Sequence, residues 1–188
     1  LVELVVSQAG NDNWNAATPV TTTFTVSKAT AEITFSGLTY DYDGTAKQAS
    51  YTTDPAGLTV DVTYDGSATP YPTNAATYAV AGTVVSALYD GSSSTNLVIS
   101  AADQSITFTP LSDQVTTNVV ALSGTASSGE AVSYAVSAPG VLSGSSLSFT
   151  NSGPVELIVS QAGGGNWSAA TPVTNNFTVT KATAGITF

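Results

Sequence analysis

Cysteine, histidine, arginine and methionine are all missing from this chain, and its only cations are Lys28, Lys47 and Lys181. Each absence closes a class of function. Without histidine or cysteine the only amine bases that could activate a nucleophile are the three lysines, so nucleophilic catalysis is not expected. Without cysteine there is no disulfide frame, an economy common in bacterial surface repeats and uncommon in small secreted eukaryotic domains. The formal net charge is −10 and charged residues make up only 9%. That balance argues against nucleic acid, which needs a basic face, and against docking on anionic lipid. No apolar run approaches the ~20 residues of a membrane-spanning helix, so no membrane insertion of this segment is expected. Helix formers are scarce, while valine and threonine abound. The surface must then be covered mainly by hydroxyls, with few sites for trypsin-like proteases. This suits a molecule outside the cell; an acidic, salt-tolerant source would leave the same mark.

What is present is a repeat. Residues 1–35 read LVELVVSQAGNDNWNAATPVTTTFTVSKATAEITF, and residues 154–188 read PVELIVSQAGGGNWSAATPVTNNFTVTKATAGITF. They align without a gap at an offset of 153, and 26 of 35 positions are identical. A unit of that length fits two small sandwich domains better than one turn of a solenoid. Period-2 alternation supports strands: Val155, Leu157 and Val159 alternate with Glu156, Ile158 and Ser160, as Phe177 and Val179 do with Asn176, Thr178 and Thr180. Turn chemistry recurs every 8–12 residues, at Asp43-Gly44, Asp65-Gly66, Asp90-Gly91, Ser128-Gly129 and Pro139-Gly140 among others. The predicted fold class is all-β: tandem immunoglobulin-like or β-sandwich domains in series, with essentially no helix.

The order YDGTAK, TTDPAGLTVDVTYDG, PTNAATYAV and LYDGSSSTNLVIS, within residues 29–102, resembles the MBG domain of repetitive bacterial surface proteins. One departure is Ala76, where that family usually has glycine. Residues 103–182, with ITF, the ASSG turn, VSYAV, SLSFT and SQAGxxNWxAAxPVxxxFTV, are similar to a bacterial immunoglobulin-like module. On this reading residues 1–28 are the C-terminal half of such a module and 183–188 begin the next MBG-type unit. The resemblance implies export to the bacterial cell surface, an alternating array and an adhesin-like setting. It implies no enzyme and no cofactor. The short linkers lack the flexibility of Gly/Ser spacers, so a semi-rigid rod is expected, each unit advancing roughly 70–80 Å from strands of about 30 Å.

The remaining candidates each have a bland alternative. Asp103 and Glu32 are candidates for calcium at a domain junction, although no calcium-loop spacing is present. Asp43, Asp65 and Asp90 precede glycine and are turn formers first. Trp14 and Trp167 could hold a sugar ring; capping a core beside a turn explains them more simply, with the flanking asparagines bonding the local backbone. Tyr71 belongs to a tyrosine cluster with Tyr40, Tyr42, Tyr64, Tyr78 and Tyr89, suited either to core or to ligand contact with a surface glycan or protein. Lys28, Lys47 and Lys181 could form an isopeptide crosslink; plain solvent-facing lysines explain them more simply. Asn166 and Asn176 sit in glycosylation sequons that the first copy lacks. The expected partners are neighbouring copies of the same repeat, in cis or head-to-tail. They would include strands completing residues 1–28, whose apolar edges would otherwise be open.

Overall fold

The computed structural model describes residues 1–186. The expected module start at 183–188 therefore lies partly outside the described residues. Those residues hold nineteen strands and no helix, so the chain is all-β. In the first part the strands are β1 (Val2–Val6), β2 (Val20–Phe24), β3 (Ala29–Thr30), β4 (Glu32–Ser36), β5 (Thr39–Asp41), β6 (Ser50–Asp54), β7 (Thr59–Tyr64), β8 (Ala76–Val85), β9 (Tyr89–Asp90) and β10 (Ser92–Ser100). In the second they are β11 (Ile106–Thr107), β12 (Gln114–Val115), β13 (Val120–Ala121), β14 (Thr125–Ala126), β15 (Ser133–Val136), β16 (Gly140–Ser143), β17 (Ser146–Phe149), β18 (Gly153–Ser160) and β19 (Val173–Thr180). Two compact units result. One comprises Leu1–Leu38, Gln48–Tyr71 and Tyr78–Leu97; the other comprises Thr39–Lys47, Pro72–Thr77 and the described residues from Val98 onward.

In the first unit β4 pairs antiparallel with β6, and β7 with β8. In the sheet containing β7, β8 lies between β7 and β10, while β5 pairs parallel with the end of β10, Val98–Ser100, within the second unit. The alternating pattern sends Ile33, Val60 and Val84 inward with Ala31, and Phe35, Leu58, Val62 and Tyr89 pack around them. Gly82 is buried in the inward row of β8. A Cβ there would lie 2.7 Å from the Phe35 ring and 3.0 Å from Val60, so the missing side chain makes room for the aromatic one. Asp65 and Gly66 both have positive φ (49° and 82°), and Tyr64 and Ser67 exchange both backbone bonds across them. That two-residue turn matches the twist of its flanking segments.

In the second unit a four-stranded sheet, β12-β19-β18-β15, packs on a three-stranded one, β13-β17-β16. Leu122, Leu147 and Phe149 meet Val155, Leu157, Phe177 and Val179 between them. Phe149 and Phe177 stack edge to face at 6.0 Å. The buried polar side chain of Asn175 clamps the backbone of Leu111, accepting from its N–H at 2.6 Å and donating to its carbonyl at 3.3 Å. This satisfies a polar group that would otherwise be costly inside a core.

The repeated hairpin appears twice in different surroundings. In β1–β2, Val2 faces Phe24, Leu4 faces Thr22 and Val6 faces Val20. In β18–β19 the equivalent pairs are Val155–Phe177, Leu157–Asn175 and Val159–Val173, the same register shifted by 153. Burial differs completely. Val155, Leu157, Val159, Phe177 and Val179 are 2%, 0%, 0%, 6% and 1% exposed, whereas Val2, Leu4, Val6, Phe24 and Val26 are 41%, 51%, 60%, 50% and 69% exposed.

Candidate functional site

The feature richest in designed contacts is the tryptophan turn after β18. Gly164 and Trp167 exchange backbone bonds at 2.9 and 3.2 Å. The first copy closes the same turn between Asn11 and Trp14, at 2.8 and 3.2 Å. Entry to each turn needs a glycine. Gly10 and Gly163 both have φ of 76°, and a Cβ on either would sit 2.6 Å from a backbone nitrogen (Ala16 and Ala169). In the first copy Asn11 Oδ1 also accepts from the N–H groups of Asn13 and Trp14, at 2.9 and 3.0 Å. Gly164 takes that place in the second copy and uses φ of 146° instead. The turn is thus encoded locally.

Around the second copy the loops 39–47 and 72–77 gather. The Trp167 ring meets the Tyr42 ring edge to face at 5.6 Å. Asn166 Oδ1 accepts from the Ala75 N–H at 2.7 Å, and its Nδ2 donates to Asn74 Oδ1 at 3.2 Å. Ala102 donates to the Asn166 carbonyl at 2.9 Å and accepts from the Ser168 N–H at 2.8 Å. Beneath them Gln104 Nε2 donates to Gln161 Oε1 (2.5 Å) and to the Ser168 carbonyl (2.6 Å), while its Oε1 accepts from Ser128 Oγ at 2.6 Å. The arrangement is a fastening of neutral amide bonds and ring contacts. Among the described residues no group of three or more carboxylates could hold a metal ion.

The other sequence candidates are scattered. Glu32 is exposed on β4, opposite Asp54. Asp103 is exposed one residue beyond Ala102. Trp14 stands 74% exposed, while Trp167 is half-buried against a loop tyrosine and lies outside the apolar cluster. Tyr71 meets Tyr64 edge to face at 5.9 Å and keeps 38% exposure. Lys28 Nζ donates to the Ser86 carbonyl at 2.7 Å. Lys47 pairs with Asp43 at 2.6 Å and lies 5.5 Å from the Tyr40 ring centre. The Lys47 ammonium, with Thr45 assisting, holds the Asp43 carboxyl well below its usual range. Asn11 bonds its local backbone as the sequence suggests, but Asn166 reaches a backbone 91 residues away. One signal was available for that role: Asn13 and Asn166 are the same residue in both copies, while positions 11, 12 and 15 all change at 164, 165 and 168. Gln104, Asn74 and Ala75 carried no such mark.

Residues 31–103 match the family model of the MBG domain. No curated protein matches the chain. The matched stretch includes Tyr42, Asn74, Ala75 and Ala102, the residues that grip the second tryptophan turn.

Proposed function

We propose that this chain is a structural segment of a large repetitive bacterial surface protein, alternating MBG-type and immunoglobulin-like modules to carry an adhesive or anchoring end away from the cell. The observation that carries this reading is the fastening around Trp167. Loops 39–47 and 72–77 of the MBG-matched stretch belong to the same compact unit as the sandwich that follows and spend their polar groups on its tryptophan turn, which ties the two stretches of sequence together within that unit. The near-identity of the two copies agrees, because a spacer needs only to be repeated. The low charge and hydroxyl-rich surface suit an extracellular setting.

Small-angle scattering from a chain of two complete repeats tests it. The expected profile is that of a rod lengthening with repeat number; a compact envelope would sink the reading. A second reading, a module binding carbohydrate or protein, is favoured by the exposed ring of Trp14. Glycan-array binding that disappears in Trp14→Ala would support it.

A further inference from the structure

We infer that the hairpin β1–β2 is a preformed acceptor for a further copy of the segment 103–151. The inference rests on the structural-array reading and names the partner of one face within it. Three observations carry it. The hairpin already has the register of its buried counterpart, so binding needs no refolding of the acceptor. Its inward row, Val2, Leu4, Val6, Phe24 and Val26, is residue for residue the row buried in the second copy, yet here it lies exposed. In the second copy the occupant of that face is visible: residues 103–151 supply Leu122, Leu147 and Phe149 to the core, β15 to the edge of β18, and β12 to the edge of β19. The chain's own 103–151 is held by β18 and β19, so the occupant of β1–β2 is another copy of that sequence.

The chemistry of the contact follows from the same comparison. Both faces are apolar and both partners are acidic: Glu3 and Asp12 on one side, Asp103, Asp113 and Glu130 on the other. Association is therefore driven by burial and backbone pairing, and added salt strengthens it by screening repulsion. One contact is lost in the first copy. Thr22 stands where Asn175 clamps Leu111, and its shorter side chain offers one hydroxyl oxygen in place of the separate Oδ1 acceptor and Nδ2 donor that Asn175 uses.

The test uses the whole chain and a synthetic peptide of residues 103–151, read by hydrogen exchange. Expected is saturable one-to-one binding that slows the amides of β1 and β2 to the rates of β18 and β19. Thr22→Asn should tighten binding by about fivefold to tenfold, the value of one buried hydrogen bond. Leu4→Asp should abolish it. A chain with the same sequence joined ahead of Leu1 should show the same protection in cis, which guards against a peptide that self-associates. Unchanged exchange in both formats overturns the inference, as does equal binding of a scrambled peptide. Pairing of two hairpins from separate chains in the absence of peptide overturns it too. If these fail while the two-repeat chain still scatters as a rod, the array reading stands and only this partner is wrong.

Discussion

Leu4 and Leu157 are the same residue in the same register of the same hairpin, and truncating each to alanine separates local from tertiary contributions. Leu157 is fully buried between Leu147 and its neighbours, while Leu4 is 51% exposed. Removing three carbons from Leu157 costs about 2.4 kcal/mol at ~0.8 kcal/mol per methylene. The residual cavity raises the total to about 3–5 kcal/mol. Leu4→Ala leaves no enclosed cavity and should stay within about 0.5 kcal/mol. Urea unfolding followed by Trp167 fluorescence in a Trp14→Phe background isolates the second unit, and amide exchange at β1–β2 follows the first. Equal losses at the two sites, or less than about 1 kcal/mol for Leu157→Ala, would refute the assignment of stability to the facing sheet.

Other substitutions probe the contacts around Trp167 and the turns. Gly163→Ala forces a Cβ into the backbone of Ala169 at a positive φ and should lower the second unit's stability by about 1–3 kcal/mol, measured by the same unfolding curve. Asn166→Ala leaves the Ala75 N–H without its acceptor and should cost about 1 kcal/mol, with faster exchange at that amide as its marker. A double-mutant cycle on Tyr42 and Trp167 should return a coupling of about 0.5–1.5 kcal/mol for the edge-to-face pair; zero coupling would reduce the contact to coincidence. Asp43 titrates below its unfolded value because Lys47 and Thr45 bond its charged form. Its contribution to stability is therefore complete above the ordinary carboxylate range near pH 4 and fades as pH falls toward the folded value. Asp43→Asn should flatten that acid limb in denaturant midpoints taken across the same pH range.

The all-β class, the hairpin and its tryptophan turn were legible in the sequence because each is set by near neighbours: alternation, turn glycines and an Asx bond. Gly82 and Asn175 show a subtler legibility. Each sits in an inward row among valines and aromatics, and each odd residue marks a specific demand, one for space and one for a clamp. The fastening around Trp167 could not be read, because Asn166 and Ala75 are joined only by the folded path of the chain. Nor does sequence tell Leu4 from Leu157, since burial belongs to the segment that covers a strand and not to the strand itself.

The shared register of the two hairpins also bears on how such a gene can change. A crossover between the matched stretches would join the start of one copy to the remainder of another at an offset of 153 residues. Every pairing in the resulting hairpin would be preserved, and so would its turn glycine and its inward row. A whole 153-residue unit can therefore be gained or lost at this stretch without creating a misregistered strand, so the hairpin tolerates recombination between its copies.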